Sequence, residues 1–419
     1  MSSKKNKFKP ESEMMSYGYK PDLSEGAIKC PVFQTSTFEF KSAEEGKAFF
    51  ELALGRKKKS EEEEPGLIYS RLNNPNTEIL EDRLCLWDKA EDCVVLGSGM
   101  SAISFTLLEF LKPGALLVHS GPLYAGIDHL IKNILTKYNI ETLEFNPGIS
   151  EEELEKQIKD TGKSENLSMI YVETPANPTN SLIDIQSCKK VAKRFSNEEK
   201  EVIVAVDNTY LGPLFQKPLS VGADISLYSA TKYIGGHSDL VAGACLGSKE
   251  LIELIKTLRS FLGSMVDPWT AWLLMRSLET LKPRMKLQAK NAKKIAEFLN
   301  DHTKIEKVYY LGFLNESTPE QYNIYKKQCI SPGAMLSFDI KGGEKEAFRF
   351  LNSLKLLKLA VSLGSTESLA EHPYTMTHVE VNKETKDHFN ITDKMIRLSV
   401  GVEDKEDLVS DLDQALANV

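Results

Sequence analysis

The middle of the chain alternates short apolar stretches with longer amphipathic ones, and this alternation strongly constrains the fold. Between residue 76 and about residue 279, the apolar stretches "CVVLG", "ALLVHS", "SMIYVETP", "VIVAVDNTY" and "ADISLYS" each predict a strand. Stretches with helical periodicity lie between them, including "TEILEDRLCLWDKA", "SAISFTLLEFL" and "IQSCKKVAKRF". Strands that are apolar on both faces belong to a mainly parallel sheet covered by helices on both sides. The sequence therefore predicts an α/β domain.

The segment before this domain has a different pattern and predicts an extended arm. "AIKCPVFQTSTFEF" is prone to form a strand. "SAEEGKAFFELAL" predicts a short helix capped by Ser42, with Glu45 placed to complete a capping box. The run "GRKKKSEEEE" at residues 55–64 places a block of one charge beside a block of the other, which is typical of a solvated, mobile loop.

The segment after the α/β domain mixes helices and strands. A long helical stretch from Trp269 onward is expected to break or bend at Pro283. "IEKVYY", "AMLSFDI" and "MIRLSVG" then predict strands, and "GEKEAFRFLNSL" predicts a helix. We therefore expect an arm at 1–75, a large α/β domain at 76–280 and a smaller C-terminal α+β domain at 281–419.

Composition excludes several classes of protein. The chain has 419 residues, 41% of them hydrophobic, and a net charge of −8 from 52 basic and 60 acidic residues, which argues against nucleic acid or an anionic membrane as the main partner. No apolar run approaches the length of a membrane span, and the N-terminus lacks the apolar core of a secretion signal. The six cysteines form no CxxC motif and no metal-ligand spacing with the seven histidines. We expect reduced thiols in a cytoplasmic protein, with no structural disulfide and no metal.

One lysine stands in an unusual place for a cationic side chain. Lys232 lies within "SLYSATKYIGGHSDL", among hydroxyls, glycines and an aromatic residue, just after the apolar run "ADISL". It either extends from a strand end to solvent, as most such lysines do, or provides an amine that forms an imine with a carbonyl cofactor. Lys232 taken alone leaves both interpretations open.

Other chemically capable residues follow predicted strands, where ligands collect in an open parallel sheet. "LGSGMSAIS" follows a strand and opens a helix, so the amides of Gly99 and Met100 could hold a phosphate, although a plain tight turn explains the pattern equally well. Asp207 ends the apolar run "VIVAV" and could either cap a turn or pair with a protonated ring nitrogen.

Four further residues complete the set of candidates. Tyr124 could stack on an aromatic ring, Arg397 could clamp a carboxylate, and Ser229 and Thr231 could donate their hydroxyls to the same phosphate. Each of these residues also has an ordinary structural explanation when taken singly. Together they provide a phosphate cup, an acid for a ring nitrogen, a stacking ring, an imine-forming lysine and a carboxylate clamp, which is the set that a pyridoxal phosphate enzyme needs.

The order and wording of these motifs resemble a known family. The stretches "YSRLNNPN", "ETPANPT", "VDNTY", "SATKYIGGH", "VSLGSTESLAEHP" and "MTH" are similar to those of the cysteine/methionine metabolism (trans-sulfuration) family of fold-type I pyridoxal phosphate enzymes. That family includes cystathionine γ-synthase and γ-lyase, methionine γ-lyase and O-acetylhomoserine sulfhydrylase. The resemblance extends from "FQTSTF" to "RLSVGVED". It implies an aspartate aminotransferase-like fold, bound pyridoxal 5'-phosphate and a homotetramer built as a dimer of dimers.

The resemblance also implies a role for each matching residue. Lys232 is implied to form the Schiff base and to shuttle protons, Asp207 to pair with the pyridine nitrogen, and Tyr124 to stack on the ring and protonate the leaving group. The implied phosphate ligands are Gly99, Met100, Ser229 and Thr231, with Tyr69 and Arg71 reaching the phosphate of the neighbouring subunit. The implied ligands of the substrate's amino-acid end are Asn177, Ser362 and Arg397.

Val361 bears on the substrate. Family members that handle cystathionine tend to carry glutamate at this position, so an apolar residue favours a substrate with an uncharged γ-end, such as methionine or an acylated homoserine. Other positions depart from methionine γ-lyases: Gly126 replaces their usual cysteine, "YAGI" replaces "YGGT", and Arg259 and Ser260 stand where Lys-Asp is usual. The run at 55–64 precedes Tyr69 and could cover the site entrance.

The resulting prediction is a carbon–sulfur lyase that acts on a small amino acid. We expect γ-elimination from L-methionine to give 2-oxobutyrate, ammonia and methanethiol. The alternatives are a cystathionine γ-synthase or γ-lyase, an O-acetylhomoserine sulfhydrylase, or a non-catalytic relative that only binds the cofactor.

Overall fold

The computed structural model describes residues 8–53, 56 and 66–419. The predicted charged loop at 55–64 therefore lies, apart from Arg56, outside the described residues. The α-helices are α1 (Pro10–Glu13), α2 (Ala43–Ala53), α3 (Pro75–Asp88), α4 (Gly99–Phe110), α5 (Ala125–His129), α6 (Glu151–Asp160), α7 (Ile185–Phe195), α8 (Gly212–Phe215), α9 (Lys249–Leu262), α10 (Pro268–Glu279), α11 (Leu281–Asp301), α12 (Pro319–Gln328), α13 (Glu344–Ser353), α14 (Lys383–His388) and α15 (Lys405–Leu416). Shorter helical turns span Pro21–Ser24, Leu130–Ile134, Leu135–Tyr138, Ser164–Asn166, Pro218–Val221 and Leu311–Phe313.

The strands form two sheets. They are β1 (Asp92–Leu96), β2 (Leu116–Ser120), β3 (Glu141–Phe145), β4 (Leu167–Glu173), β5 (Ile203–Asp207), β6 (Ile225–Ser229), β7 (Gly243–Gly247), β8 (Ile305–Tyr309), β9 (Met335–Ile340), β10 (Lys358–Leu359), β11 (Leu369–Glu371) and β12 (Met395–Ser399). The larger sheet has the order β1-β7-β6-β5-β4-β2-β3, and the smaller sheet has the order β10-β11-β12-β9-β8.

The larger sheet is mainly parallel, as the sequence predicts. Strands β2 to β6 pair in parallel with their neighbours, whereas β7 runs antiparallel to both β6 and β1. Helices α4 and α9 pack on one face through residues such as Ile103 and Ile252, and α6 and α7 pack on the other through residues such as Leu154 and Val191. Both faces are therefore buried, which explains why these strands read as apolar throughout.

Sequence analysis did not predict β7. Its sequence, "GACLG", has a glycine at each end, and glycine has a low strand propensity. The structure explains the first glycine, because a Cβ atom at Gly243 would lie 2.1 Å from the carbonyl oxygen of Ser98. The close approach of the loop before α4 therefore requires glycine in this strand.

The smaller sheet is mixed and lies in the C-terminal part. Only β10 and β11 pair in parallel. The predicted helix break falls at Thr280, and Pro283 lies in the first turn of α11, where its missing amide hydrogen costs no helical bond. The division into domains at 75/76 and 280/281 stays a prediction.

The N-terminal segment corrects one expectation. The strand-prone stretch forms no strand, only an isolated bridge between Thr37 and Tyr69. Its backbone instead bonds to side chains at the start of α3: the Phe33 amide donates to Asn76 Oδ1 at 2.8 Å, and its carbonyl accepts from Asn74 Nδ2 at 3.0 Å. Side chains thus satisfy groups that would otherwise require a neighbouring strand.

The predicted helix after this segment is present as α2. The Ser42 hydroxyl accepts the Glu45 amide at 3.2 Å, as expected for a cap. The Glu45 carboxylate, however, accepts the amide of Lys41 at 2.6 Å and not that of Ser42. Among the described residues, none of the helices is long and apolar enough to cross a membrane.

Candidate active site

A cavity of about 310 Å³ opens where the carboxyl ends of β4, β5 and β6 face the C-terminal part of the chain. Ten of the twelve predicted site residues line it: Gly99, Met100, Tyr124, Asn177, Asp207, Ser229, Thr231, Lys232, Ser362 and Arg397. Tyr69 and Arg71 do not. The lining residues that sequence analysis did not single out are Ser98, Ile103, Glu173, Thr209, Tyr210, Val241, Leu363 and Thr377.

Lys232 lies inside this cavity and is half-buried, so it is not a lysine that extends to solvent from a strand end. Its amine donates a hydrogen bond to Ser362 Oγ at 2.8 Å. Burial, together with the positive charge of Arg397, lowers the pKa of Lys232 to about 8. The free base is therefore much more available near neutral pH than it is on an ordinary lysine.

The start of α4 forms one wall of the cavity. Ser98 caps this helix, with its hydroxyl accepting the Ser101 amide at 3.0 Å. A Cβ atom at Gly99 would lie 2.7 Å from Ser229 Cβ, so the glycine allows the helix start to approach the end of β6. Amides in the first turn have no partner within the helix and carry the positive end of its dipole, so this wall fits a phosphate group.

Asp207 is buried at the end of β5. One of its carboxylate oxygens accepts the Thr209 amide at 2.9 Å. Burial raises the pKa of this carboxyl, and no lysine or arginine of the described residues forms an ion pair with it. A protonated ring nitrogen would supply the missing cation, so Asp207 fits the ring of pyridoxal phosphate.

Glu173 stands beside Asp207, because the two residues pair in register at the ends of β4 and β5. Its carboxylate accepts the amides of Tyr124 at 2.8 Å and Asn177 at 3.2 Å. Burial and the neighbouring Asp207 raise the pKa of Glu173 to about 8. Sequence analysis missed this residue, although the criterion that selected Asp207, an acid ending an apolar strand, applies to it equally.

Tyr124 precedes α5 and keeps 42% of its surface exposed at the cavity. A Cβ atom at Gly126 would lie 2.8 Å from Tyr124 Cε1. Any side chain at position 126 would therefore press on this ring unless the ring moved. The glycine that replaces the usual cysteine of methionine γ-lyases at position 126 therefore lies next to the ring of the predicted stacking residue.

Arg397 is held from three sides and is only 3% exposed. Its Nη1 lies 2.8 Å from Glu371 Oε1 and donates to Asn177 Oδ1 at 3.1 Å, while Nη2 donates to the Ser362 carbonyl at 2.6 Å. The Nε atom is buried and has no hydrogen-bond partner among the described residues. An arginine positioned in this way, with its Nε donor left over, fits the binding of a carboxylate.

Glu371, the ionic partner of Arg397, is fully buried. It pairs in register with Arg397 across β11 and β12 and also accepts the Thr377 hydroxyl at 2.9 Å. Nothing in the sequence indicates this contact, because the two residues are brought together only by strand pairing.

The positions relevant to specificity separate into two groups. Val361 lines the cavity with 55% of its surface exposed, and Ile127 lines it as well. Arg259 does not line the cavity: it is buried in an ion pair with Glu81 at 2.7 Å and donates to the Val95 carbonyl at 2.7 Å. The carbonyl of Ser260 accepts from Arg71. Within this chain, the departure at 259–260 therefore does not shape the cavity.

The cavity thus combines a helix start that fits a phosphate, a buried acid without a cation, an amine with a lowered pKa and a positioned arginine. This combination defines a site of the class that pyridoxal phosphate enzymes use.

Comparison with known proteins identifies the family. Residues 11–417 match the family model described as Cys/Met metabolism PLP-dependent enzyme. An L-methionine gamma-lyase from Fusobacterium nucleatum subsp. polymorphum is 41% identical over 396 residues, which are 94% of each chain. A cystathionine gamma-lyase from Bacillus subtilis (strain 168) is 37% identical over 98% of this chain and 100% of its own.

Solved structures give the same result. The crystal structure of cystathionine gamma-lyase from Lactobacillus plantarum, complexed with L-serine, superposes with a TM-score of 0.86 at 30% identity, covering 98% of this chain and 99% of the other. The chain belongs to the family of Cys/Met metabolism PLP-dependent enzymes. The predicted fold class, enzyme class and cofactor are thereby confirmed.

Proposed function

We propose that this chain is an L-methionine γ-lyase, which converts L-methionine and water to 2-oxobutyrate, ammonia and methanethiol. The observation that carries the proposal is Val361, an apolar residue half exposed in the cavity. The charged residues that line the cavity are Glu173, Asp207, Lys232 and Arg397, and each of them already has a partner or a proposed role. No acid among the described lining residues is left for a distal ammonium, whereas a thioether needs none.

The relatives support the same substrate. Several curated relatives from different bacteria, at 37–41% identity over more than nine-tenths of this chain, are L-methionine gamma-lyases.

The cofactor would occupy the part of the cavity nearest the larger sheet. The amides of Gly99 and Met100 and the hydroxyls of Ser229 and Thr231 would hold its phosphate. Asp207 would hold a proton on the ring nitrogen, which stays charged beside a buried carboxylate. Tyr124 would lie against the ring.

When bound, pyridoxal phosphate supplies an aldehyde that binds amines and a ring that withdraws electrons from the attached amino acid. Lys232 would bind the cofactor in the resting enzyme and, once displaced by substrate, take the Cα proton on Nζ. A pKa near 8 lets this amine both accept and release a proton close to neutral pH. The hydroxyl of Tyr124 would give a proton to the departing sulfur.

The amino-acid end of the substrate would be oriented by Arg397, Asn177 and Ser362. The guanidinium is fixed by Glu371 and Asn177, so little side-chain entropy is lost when a carboxylate binds. The hydrogen bond from Lys232 to Ser362 keeps the amine on the same side of the cavity as this clamp. The arrangement would place Cα close to Nζ and the γ-substituent toward Val361.

We also propose that the enzyme is a homotetramer of two dimers and that Tyr69 and Arg71 complete the phosphate site of the neighbouring subunit. Tyr69 is 41% exposed, and the Arg71 guanidinium lies 5.9 Å from the centre of its ring. Because Tyr69 and Arg71 are exposed and do not line the cavity of their own subunit, they are available to bind the phosphate in a neighbouring subunit's site. A mixture of inactive Lys232→Ala and inactive Arg71→Ala subunits should regain activity if sites are shared, and should stay inactive if they are not.

The proposed location is the cytoplasm, which the six free cysteines support.

The substrate is tested by measuring 2-oxobutyrate from equal concentrations of L-methionine and L-cystathionine without added thiol. Product from methionine alone supports the proposal. Product from cystathionine alone would contradict the proposal and would identify the activity as that of a cystathionine γ-lyase. Product from neither would point to a synthase or sulfhydrylase that uses an acylated homoserine.

A further inference from the structure

Glu173 connects two loops that come from different parts of the chain. One carboxylate oxygen accepts the amide of Tyr124, in the loop after β2, and the other accepts the amide of Asn177, in the loop after β4. The residue is 6% exposed, and its own amide donates to Ser120 Oγ at 3.0 Å, which fixes its backbone to the end of β2. Its position is therefore well determined.

The two loops carry different parts of the site. The first carries the ring of Tyr124, which lies at the cavity. The second carries Asn177, whose side chain accepts from Arg397 at 3.1 Å and so helps to orient the guanidinium. A single side chain thus accepts hydrogen bonds from the backbone of both the proposed stacking residue, Tyr124, and Asn177, which orients the proposed carboxylate clamp.

The contact is chemically specific. Both amides are donors and need acceptors, and only a carboxylate of this length presents two acceptor oxygens to two separate loops. An amide side chain would turn one NH₂ group toward a backbone N–H and leave that buried donor unpaired.

We infer that Glu173 is a positioning residue that holds the Tyr124 ring and the Asn177–Arg397 clamp in one fixed arrangement. This inference rests on the proposed function for the roles of Tyr124 and Arg397. It assigns Glu173 no proton transfer and no contact with substrate.

Two variants of the cofactor-loaded enzyme test this inference. Glu173→Gln keeps the length of the side chain but loses one acceptor oxygen, and Glu173→Asp keeps a carboxyl group with both oxygens but is too short to reach both loops. Hydrogen exchange measured by mass spectrometry should become about tenfold faster in the segments containing Tyr124 and Asn177 in both variants. The induced circular dichroism of the cofactor, per bound cofactor and without substrate, should fall in both.

Asp411→Asn is the matched control. Asp411 is also buried, and its carboxylate accepts the amides of Lys355 and Leu357 at 2.9 Å each, but it does not line the cavity. This variant should speed exchange around Lys355 and leave the cofactor signal unchanged.

The inference would be overturned if both Glu173 variants had the hydrogen-exchange rates and the cofactor circular dichroism of the wild-type enzyme. A change in Glu173→Gln alone would also overturn it, because the carboxyl group would then matter and the distance that the side chain spans between the two loops would not. If Glu173→Gln does not fold, Glu173→Asp decides alone. Because neither readout uses substrate, a wild-type enzyme that is inactive on methionine would refute the proposed function and leave this test intact.

Discussion

Lys232 Nζ lies 2.8 Å from Ser362 Oγ, and the carbonyl of the same serine accepts from Arg397 at 2.6 Å. One residue therefore joins the amine to the arginine that we propose as the carboxylate clamp. Ser362 has a φ of 125°, a left-handed conformation that a residue with a side chain rarely adopts. This backbone presents the hydroxyl to the amine and the carbonyl to the guanidinium at once.

The first prediction concerns the amine itself. Because the pKa of Lys232 is lowered to about 8, its free base should form as the pH rises through about 8. In the protein stripped of cofactor, reductive methylation of Lys232, followed by mass spectrometry of its peptide, should have its midpoint there. Lys190 is the comparison, because its hydrogen bond to Glu151 raises its pKa above 10.5. A Lys232 that titrates together with Lys190 would contradict this account.

The second prediction concerns the phosphate wall. Gly99→Ala would place a methyl group 2.7 Å from Ser229 Cβ and push the start of α4 away from β6. The affinity for pyridoxal phosphate, measured by fluorescence titration, should fall on the order of tenfold. Gly343→Ala is the control, because nothing lies within 4 Å of its added Cβ and its φ is −152°. Equal losses of affinity for pyridoxal phosphate in the two variants would contradict a specific role of the start of α4 in binding the phosphate.

The third prediction concerns specificity at Val361. Val361→Glu should raise kcat/KM for cystathionine and lower it for methionine, because a carboxylate can pair with the distal ammonium. The gain should be only a few-fold, since position 361 is half exposed and exposed ion pairs are weak. Val361→Gln has the same shape without the charge and should show no such gain. A gain in both variants would assign the effect to size or polarity instead of charge.

The fourth prediction concerns acid stability. Burial and the nearby charges of Arg397 and Lys386 lower the pKa of His378 to about 4, against 6.5 for an ordinary histidine. Between these values the unfolded chain binds the extra proton, so stability falls as the pH drops from 6.5 to 4, by up to about 3 kcal/mol. The unfolding temperature of His378→Gln should therefore depend less on pH over this range. If the unfolding temperature of His378→Gln depends on pH as strongly as that of the wild type, this prediction is wrong.

Most of the site could be predicted because its residues follow local rules. Asp207 and the start of α4 stand at the ends of apolar strands, and the topology of a parallel sheet brings such ends to one edge. The family motifs then provided the substrate-end residues. The eight predicted strands of the two sheets are all present for the same reason, since each is a short apolar run that can be recognised locally.

The parts that were missed depend on contacts between distant segments. Glu371 meets Arg397 only through the pairing of β11 with β12. Strand β7 is hidden by its two glycines, the first of which the approach of Ser98 requires. Arg259 was associated with specificity from its place in the sequence, yet α9 directs it into a buried ion pair with Glu81. No local pattern contains this information.

The most direct test measures methanethiol and 2-oxobutyrate together from L-methionine alone. The account predicts equal amounts of the two products from the wild-type enzyme and none from Lys232→Ala, which should keep its fold by circular dichroism. Absence of both products from the wild-type enzyme, with turnover of an acylated homoserine only when a thiol is added, would contradict it.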